Sequence, residues 1–349
     1  MLKQITKFML ATAIAALGTS CSGGDKEKEV TVLQFNIWQE GTVIGNGFDA
    51  IADEIARLDP DFVTLSEVRN YHETRFCDRI VKALADRGKE YHSFYSYDSG
   101  LLSRYPLTDS ATIFPHEGDH GTVYRLNTEI DGRKFAVYTG HLDYQNDTYY
   151  EVRGYDGNSW RRMDAPLTDV DTILARNALS LRDEAIDSFI TDAANQLRDG
   201  AIVIFGGDFN EPSWMDWTEA TRDSADHHGV VIDWPCTRRL HDEGFTDAYR
   251  AVNPDPVAYP GYTYPTYNDS VPCEKITWTP EADERERIDY IFYHPAGGAV
   301  TATEAFIVGP TDCVAYSKRV PHTASDSILA PIAVWPTDHK AVFVRLRYR

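Results

Sequence analysis

The stretch Ile202-Val-Ile-Phe-Gly-Gly-Asp-Phe-Asn-Glu-Pro-Ser213 decides how the chain is read. Its first four residues form an apolar run that suits a strand buried on both faces. Gly206 and Gly207 then admit a tight turn or a close approach of the backbone to a ligand. Asp208 and Asn210 follow two residues apart, so in extended chain both side chains point the same way. A carboxylate there can bind a metal or take a proton, and the amide beside it can orient a phosphate or a water. Gly, Asp and Asn are also ordinary turn formers, so this stretch alone leaves a plain strand-to-turn reading open.

Outward from it, the same pattern repeats. A strand over residues 31–38 ends near the polar Asn36, and a helix over 48–58 puts Phe48, Ile51, Ile55 and Leu58 on one face before Asp59-Pro60 stops it. A second strand, 62–68, carries Glu67 near its end. A helix over 76–87 and strands over 91–97 and 100–104 come next. Asp131-Gly132 is a two-residue hairpin signal between strands 123–130 and 134–143, and the second of these delivers His141 and Asp143 at its exit. A long polar and aromatic segment, 144–169, precedes a helix over 172–197. After the central strand, 214–240 is loop-rich, 245–249 is a short helix or turn, and 259–279 is rich in Tyr, Pro and Thr. A strand over 287–294 carries Asp289, with 299–308 expected as its hairpin partner, and Asp338-His339 leads into a closing strand at 341–346. Six strand ends therefore offer Asn36, Glu67, His141, Asp208 with Asn210, Asp289, and Asp338 with His339. Each alone has a bland reading as a cap or turn residue. Six together in one α/β chain point to a site.

Composition bounds the class. The chain has 349 residues, 42% hydrophobic and 25% charged, with no internal repeat and no linker after residue 30, which gives one large domain over 31–349. Lys and Arg total 34 against 54 Asp and Glu, a formal net charge of −20. Such a chain repels polyanions at long range, which disfavours duplex nucleic acid while leaving room for a phosphate met by a local basic patch or bound cations. Residues 1–21 stand apart: Lys3 and Lys7 precede an apolar run at 8–17, the pattern of an export signal and too short to span a bilayer as a helix. Leu17-Gly-Thr-Ser-Cys21 resembles a bacterial lipoprotein signal, which implies lipidation of Cys21, attachment to the cell envelope, and a flexible tether over 22–30; simple cleavage without lipid is the alternative. The remaining cysteines, Cys77, Cys236, Cys273 and Cys313, show no CxxC spacing, which argues against a zinc cluster. In an oxidising compartment they allow up to two disulfides, with Cys236–Cys273 preferred because both lie in loop-rich sequence.

The ordered set Phe35-Asn36-Ile37, Ser66-Glu67-Val68, Ser99-Gly100 with Leu102-Ser103-Arg104, Gly140-His141-Leu142-Asp143, Gly207-Asp208-Phe209-Asn210, Arg287-Ile288-Asp289-Tyr290 and Asp338-His339 resembles the endonuclease/exonuclease/phosphatase superfamily. That superfamily includes pancreatic-type deoxyribonuclease, abasic-site endonuclease, bacterial sphingomyelinase and inositol-phosphate phosphatases. The resemblance implies an α/β fold, a four-layer α/β/β/α sandwich of two mainly antiparallel sheets flanked by helices, and metal-dependent cleavage of a phosphoester. It also implies roles. Glu67 would hold Mg²⁺ or Mn²⁺, with Asn36 and Asp338 completing or adjoining that site. Asp208, oriented with Asn210, would position or deprotonate the attacking water. Asp289 would hold His339 in one tautomer, and His339 and His141 would donate to phosphate oxygens.

The loops over 144–169 and 214–240 are longer than the core of that superfamily needs, and such loops set specificity. Asp143, Arg161 and Arg162, with Arg153, Arg238 and Arg239, are candidate substrate contacts; Tyr149, Tyr150, Tyr155 and Trp160 could stack on a sugar or base. All are equally readable as solvated loop residues. Trp38 stands where abasic-site nucleases carry a second acidic ligand, and the exposed apolar hairpin of secreted sphingomyelinases is not found. The expectation is an exported, lipid-anchored, monomeric Mg²⁺- or Mn²⁺-dependent phosphodiesterase or phosphatase acting on a small, glycan-linked or lipid-headgroup phosphoester. A secreted nuclease is the first alternative, and a catalytically silent surface-binding protein the second.

Overall fold

The computed structural model describes residues 27–115 and 120–349. The expected export signal and the expected lipidation at Cys21 lie outside them. Among these residues fourteen strands are interspersed with helices. The first sheet holds β1 (Lys28–Asn36), β2 (Phe62–Ser66), β3 (Ser99–Ser103), β10 (Val300–Val308), β13 (Ile328–Leu329) and β14 (Ala341–Tyr348), in the order β13-β10-β14-β1-β2-β3. The second holds β4 (Leu107–Phe114), β5 (Gly121–Ile130), β6 (Arg133–Leu142), β7 (Ile202–Asp208), β8 (Thr246–Asp247) and β9 (Asp289–Tyr293), in the order β4-β5-β6-β7-β9-β8. A two-stranded ribbon of β11 (Cys313–Ala315) and β12 (Lys318–Val320) lies apart. Both large sheets are mixed and mainly antiparallel; β1 runs parallel to β2, β6 to β7, and β10 to β13.

The layers follow from strand alternation. On β1, Val30 and Val32 enter the core between the sheets while Leu33 and Phe35 face outward. The outward side is covered by α1 (Gly47–Leu58) and α2 (Phe76–Ala85), whose Ile51, Ile55, Phe76 and Ile80 are fully buried. The outer face of the second sheet packs under α5 (Arg182–Arg198) and α6 (Pro235–Asp242) through Phe189, Leu240, Val203 and Phe205. The result is a four-layer sandwich. The smaller helices α3 (Thr148–Val152), α4 (Val170–Asn177) and α7 (Ala248–Val252) belong to the connections.

The inner faces change character along their length. They read Val30, Val32, Gln34, Asn36 on β1; Phe62, Thr64, Ser66 on β2; Phe135, Val137, Thr139, His141 on β6; and Ile202, Ile204, Gly206, Asp208 on β7. Antiparallel β9 reads the other way, from Asp289 to Ile291 and Tyr293. One end of the space between the sheets is therefore oily and the other polar. The polar end is wired across the sheets: Ser66 Oγ donates to Gly140 O (3.1 Å) and accepts from Asp208 N–H (3.2 Å), and Gln34 Nε2 donates to Asp289 Oδ1 (3.2 Å) while its Oε1 accepts from Thr64 Oγ1 of the neighbouring strand (2.6 Å). Gly206 is required by this closeness, since a Cβ there would stand 2.3 Å from Thr64 Oγ1.

Several expectations change. Residues 91–97 form no strand beyond a single bridge from His92 to Ser103. β10 is not the hairpin partner of β9: it crosses to the other sheet and pairs with β14. The 172–197 helix is two helices, α4 and α5, broken by a turn at 178–181. β1 already includes Lys28, paired with Tyr348, where the expected strand started at residue 31. Cys77, Cys236, Cys273 and Cys313 are all free, so neither the Cys236–Cys273 pairing nor another disulfide forms among the described residues. Cys236 is instead buried at the start of α6, where its N–H donates to Glu211 (2.7 Å), and Cys313 accepts from the Lys340 ammonium (3.2 Å).

Candidate active site

The polar ends of β1, β2, β6, β7, β9 and β14 converge on a cavity of about 250 Å³ lined by Glu67, His141, Asp208, Asn210, Asp338 and His339. At its floor, Asn36 is wholly buried and its Nδ2 donates to Asp208 (2.8 Å) and to Glu67 (3.2 Å). Asn36 Oδ1 is itself occupied by the N–H of Trp38 (2.9 Å). Asn36 thus positions two carboxylates, Asp208 and Glu67, and adjoins the expected metal site. Glu67 stands just past β2 with a left-handed φ of 64°, an uncommon backbone for a non-glycine, and its second oxygen accepts from Gln39 N–H (2.8 Å). Asn210 has a left-handed φ of 48° as well; its N–H donates to Asp208 (3.0 Å) and its amide to Leu142 O (3.0 Å).

Two histidines face Asp208, each backed by a carboxylate. His339 Nδ1 pairs with Asp289 Oδ2 (2.9 Å), leaving Nε2 3.9 Å from Asp208. His141 Nδ1 pairs with Asp98 Oδ2 (2.5 Å), leaving Nε2 4.0 Å from the same oxygen. Burial alone would lower both imidazoles, but Asp98 raises His141 to about 10, with help from Asp208 and Glu67. Asp289, Asp208 and Asp338 likewise outweigh burial and raise His339 to about 10. Both rings are cations at neutral pH, with their free N–H groups turned toward the cavity. Burial and the neighbouring Asp289 push the Asp208 carboxyl up, against the pull of the two imidazoles. Burial, opposed by His339 and reinforced by Glu67, pushes Asp338 up to about 7.

That last shift bears on metal binding. Glu67 and Asp338 are hard oxygen donors on one cavity wall, close enough for the charge of one to disfavour ionisation of the other, a donor set that suits a divalent cation such as Mg²⁺. A second grouping, Asp208, Asp289 and His339, brings ligand atoms within 4.8 Å of one another. Here, however, Asp289 spends Oδ2 on His339 and Oδ1 on the amide of Gln34 (3.2 Å), so the trio is better suited to orienting an imidazole than to surrounding an ion.

Of the substrate contacts suggested by sequence, the charged ones do not line this cavity and three of the aromatic ones do. Asp143 is buried and accepts from Leu181 N–H (3.0 Å) and Gln145 N–H (2.9 Å), with His120 Nδ1 also 3.0 Å away; it braces loops behind the site. Arg161 and Arg162 do not line the cavity, and Arg162 pairs with Glu281. Arg153 is buried against Glu286 (2.5 Å), while Arg238 and Arg239 serve acidic partners on α5 and α6 and beside them. Tyr155 packs beneath the loops, whereas Tyr149, Tyr150 and Trp160 do line the cavity. Sequence reasoning missed Asp98, which directly precedes the Ser99-Gly100 motif, and Gln34, whose signal was a polar residue at an inward position of an apolar strand.

A sandwich of two mixed sheets with this acid–imidazole cluster at one end defines a class. Residues 33–339 match the model of the Endonuclease/Exonuclease/phosphatase family, and the chain belongs to that family. It is 29% identical over 357 residues to the Caenorhabditis elegans uncharacterized protein F14F9.5, an alignment covering 98% of each. Its fold is similar to that of TDP2 from D. rerio complexed with single strand DNA product (TM-score 0.51, 16% identity, 91% of this chain and 98% of that one). It is similar also to TDP2 from Caenorhabditis elegans (TM-score 0.52, 17% identity, 92% of this chain and 75% of that one). At these identities the likeness to the solved structures is one of fold.

Proposed function

We propose that the protein is a divalent-metal-dependent hydrolase of a small phosphoester, a phosphodiesterase or phosphatase. The observation that carries this reading is the pair of buried imidazoliums, His141 and His339, whose Nε2 atoms stand 4.0 and 3.9 Å from Asp208 in a cavity that Glu67 and Asp338 also line. A phosphate there meets two positive donors beside a carboxylate able to hold water. A Mg²⁺ or Mn²⁺ ion held by Glu67 and Asp338 would neutralise charge on the phosphate oxygens. Asp208, steadied by Asn36 and by the backbone of Asn210, orients the water and takes its proton as the water oxygen bonds to phosphorus. His339, kept in one tautomer by Asp289, and His141, kept by Asp98, donate through Nε2–H to the phosphoryl oxygens, and one of them returns a proton to the departing alcohol as the ester P–O bond breaks.

A polynucleotide substrate is less well supported, because among the described residues no Lys or Arg lines the cavity. Hydrolysis of p-nitrophenyl phosphate, bis-p-nitrophenyl phosphate and single-stranded DNA with Mg²⁺, Mn²⁺ or chelator tests the reading. Chelator-sensitive turnover of either small ester supports it. Turnover of DNA alone makes the protein a nuclease, and turnover of none by folded, metal-bound protein favours the silent binder. The reading places the protein outside the cytoplasm as a monomer anchored through lipid on Cys21. Labelled palmitate incorporated by the wild type and absent from Cys21→Ser is the expected result, and equal labelling would remove the anchor.

A further inference from the structure

The cavity has an aromatic wall that the hydrolytic reading does not use. Trp38, Tyr144, Trp160 and Trp278 line the same cavity as the acid–imidazole cluster. Trp160 and Trp278 lie with ring centres 4.6 Å apart and planes tilted by 30°, and Tyr144 is stacked on Trp160 at 6.4 Å and 11°. Trp278 is nevertheless 52% exposed and Tyr144 36%. Leaving so much aromatic surface open beside a catalytic cluster costs solvation that a ligand would recover.

The wall is built rather than incidental. Trp160 has a left-handed φ of 51°, a conformation that costs about 1 kcal/mol for a residue with a Cβ. It is held there by a tight turn in which Trp160 N–H donates to Asp156 O (2.9 Å) and Ser159 N–H and Oγ donate to the Asp156 carboxylate (2.8 and 2.7 Å), closed by a bridge from Tyr155 to Arg162. Trp278 is held by Glu284, a buried carboxylate that accepts from Trp278 N–H (3.1 Å), Thr279 N–H (3.0 Å) and Thr279 Oγ1 (2.8 Å). Trp160 packs on a satellite core that includes Tyr149, Tyr150, Val152, Trp217, Val230 and Trp234. The hydroxyl-bearing rings of Tyr149, Tyr150 and Tyr264 reach the same cavity.

Charge narrows the ligand further. Among the described residues no guanidinium or ammonium lines the cavity, and Arg69 donates to Gln39 Oε1 (2.9 Å) beside it. One phosphate is provided for by the Nε2 atoms of His141 and His339, which stand 4.0 and 3.9 Å from Asp208; the described lining offers no such pair for a second. A volume of about 250 Å³ lies below the roughly 300 Å³ at which sites for drug-sized ligands begin, room for one ring beside one phosphate.

We infer that the substrate is a phosphoester of a single uncharged, ring-bearing alcohol, whose flat face lies against Trp160 and Trp278 while its phosphate meets His141 and His339. This rests on the hydrolase reading and names its substrate class. A glycosyl and a nucleosyl unit share the required chemistry, a flat face with hydrogen-bonding edges, and the test separates them.

Intrinsic tryptophan fluorescence is titrated in chelator, where turnover is not required, with glucose 6-phosphate, adenosine 5′-monophosphate and the ring-free glycerol 1-phosphate; kcat/KM is then measured for the same esters with Mg²⁺. The expected result is saturable quenching at least tenfold tighter for one ring-bearing ester than for glycerol phosphate, with a preference of the same size in kcat/KM. The ester that binds tighter identifies the ring. In Trp278→Ala and Trp160→Ala the ratio of ring-bearing to ring-free collapses toward one, and Trp278→Tyr restores most of it. Equal binding of the ring-bearing and ring-free esters by the wild type, or a ratio that survives both alanine substitutions, would overturn the inference while leaving the hydrolase reading intact. Ring-selective binding with no hydrolysis of any ester would sink the hydrolase reading and keep the aromatic wall.

Discussion

At the scale of residues, the chemistry depends on a few buried groups whose charges oppose one another. Glu67→Ala removes a cation ligand and His339→Ala a phosphate donor, and each is expected to lower kcat about 10²–10⁴-fold with an unfolding midpoint near that of the wild type. Asp338 gives a pH prediction. Its carboxyl, raised by burial to about 7 against an ordinary value near 3.9, favours the metal-free fold most below that ordinary value and loses this contribution as pH rises through 7. A divalent cation binds the ionised form, so Mg²⁺ affinity should rise between pH 5.5 and 7.5 and level off above, with proton release on binding at pH 6 and almost none at pH 8.5. Calorimetry in buffers of different ionisation enthalpy measures both; an affinity flat across that range would show that Asp338 is not a ligand. Most of this cluster was legible in the sequence, because Glu67, His141, Asp208, Asp289 and His339 each follow or begin a readable strand. Asp98 and Gln34 were not, because their roles exist only once β1, β6 and β9 are brought together across the two sheets.

At the scale of elements, the close approach of the sheets and the satellite core make separate demands. Gly206→Ala would set a methyl against Thr64 Oγ1 and should destabilise by about 1–3 kcal/mol in denaturant unfolding, with Thr64→Ala in the same chain relieving part of that cost. Additive losses in the double variant would rule out the contact as the cause. Trp217, fully buried in the satellite core and edge-on to Trp234, should cost about 3–5 kcal/mol on truncation to alanine. The same variant should weaken binding of the ring-bearing ester, since Trp160 of the aromatic wall packs on that core. Local pattern served well where structure is local: the amphipathic face of α1 and the Asp131-Gly132 hairpin, with φ of 49° and 81°, could be read directly. It failed for β10, whose apolar alternation fits either sheet and whose pairing with β14 is decided by residues some forty positions away. It failed likewise for the loop arginines, because the carboxylates that claim them, Glu286 and Glu281, are distant in sequence.

At the scale of the whole molecule, a formal charge of −20 and the carboxylates gathered at one end of the sandwich favour a bound cation, which the proposed chemistry would use. Saturating Mg²⁺ at 100 times its Kd should stabilise the fold by about 2.7 kcal/mol, a gain that chelator abolishes and that Glu67→Ala never shows. The measurement that tests the central claim most directly is hydrolysis of p-nitrophenyl phosphate and bis-p-nitrophenyl phosphate by residues 22–349, comparing wild type with Glu67→Ala and His339→Ala, in Mg²⁺ and in chelator. The account predicts turnover of at least one ester by the wild type in Mg²⁺, lost in chelator and in both variants. Turnover that persists in chelator, or that survives either substitution undiminished, would contradict it.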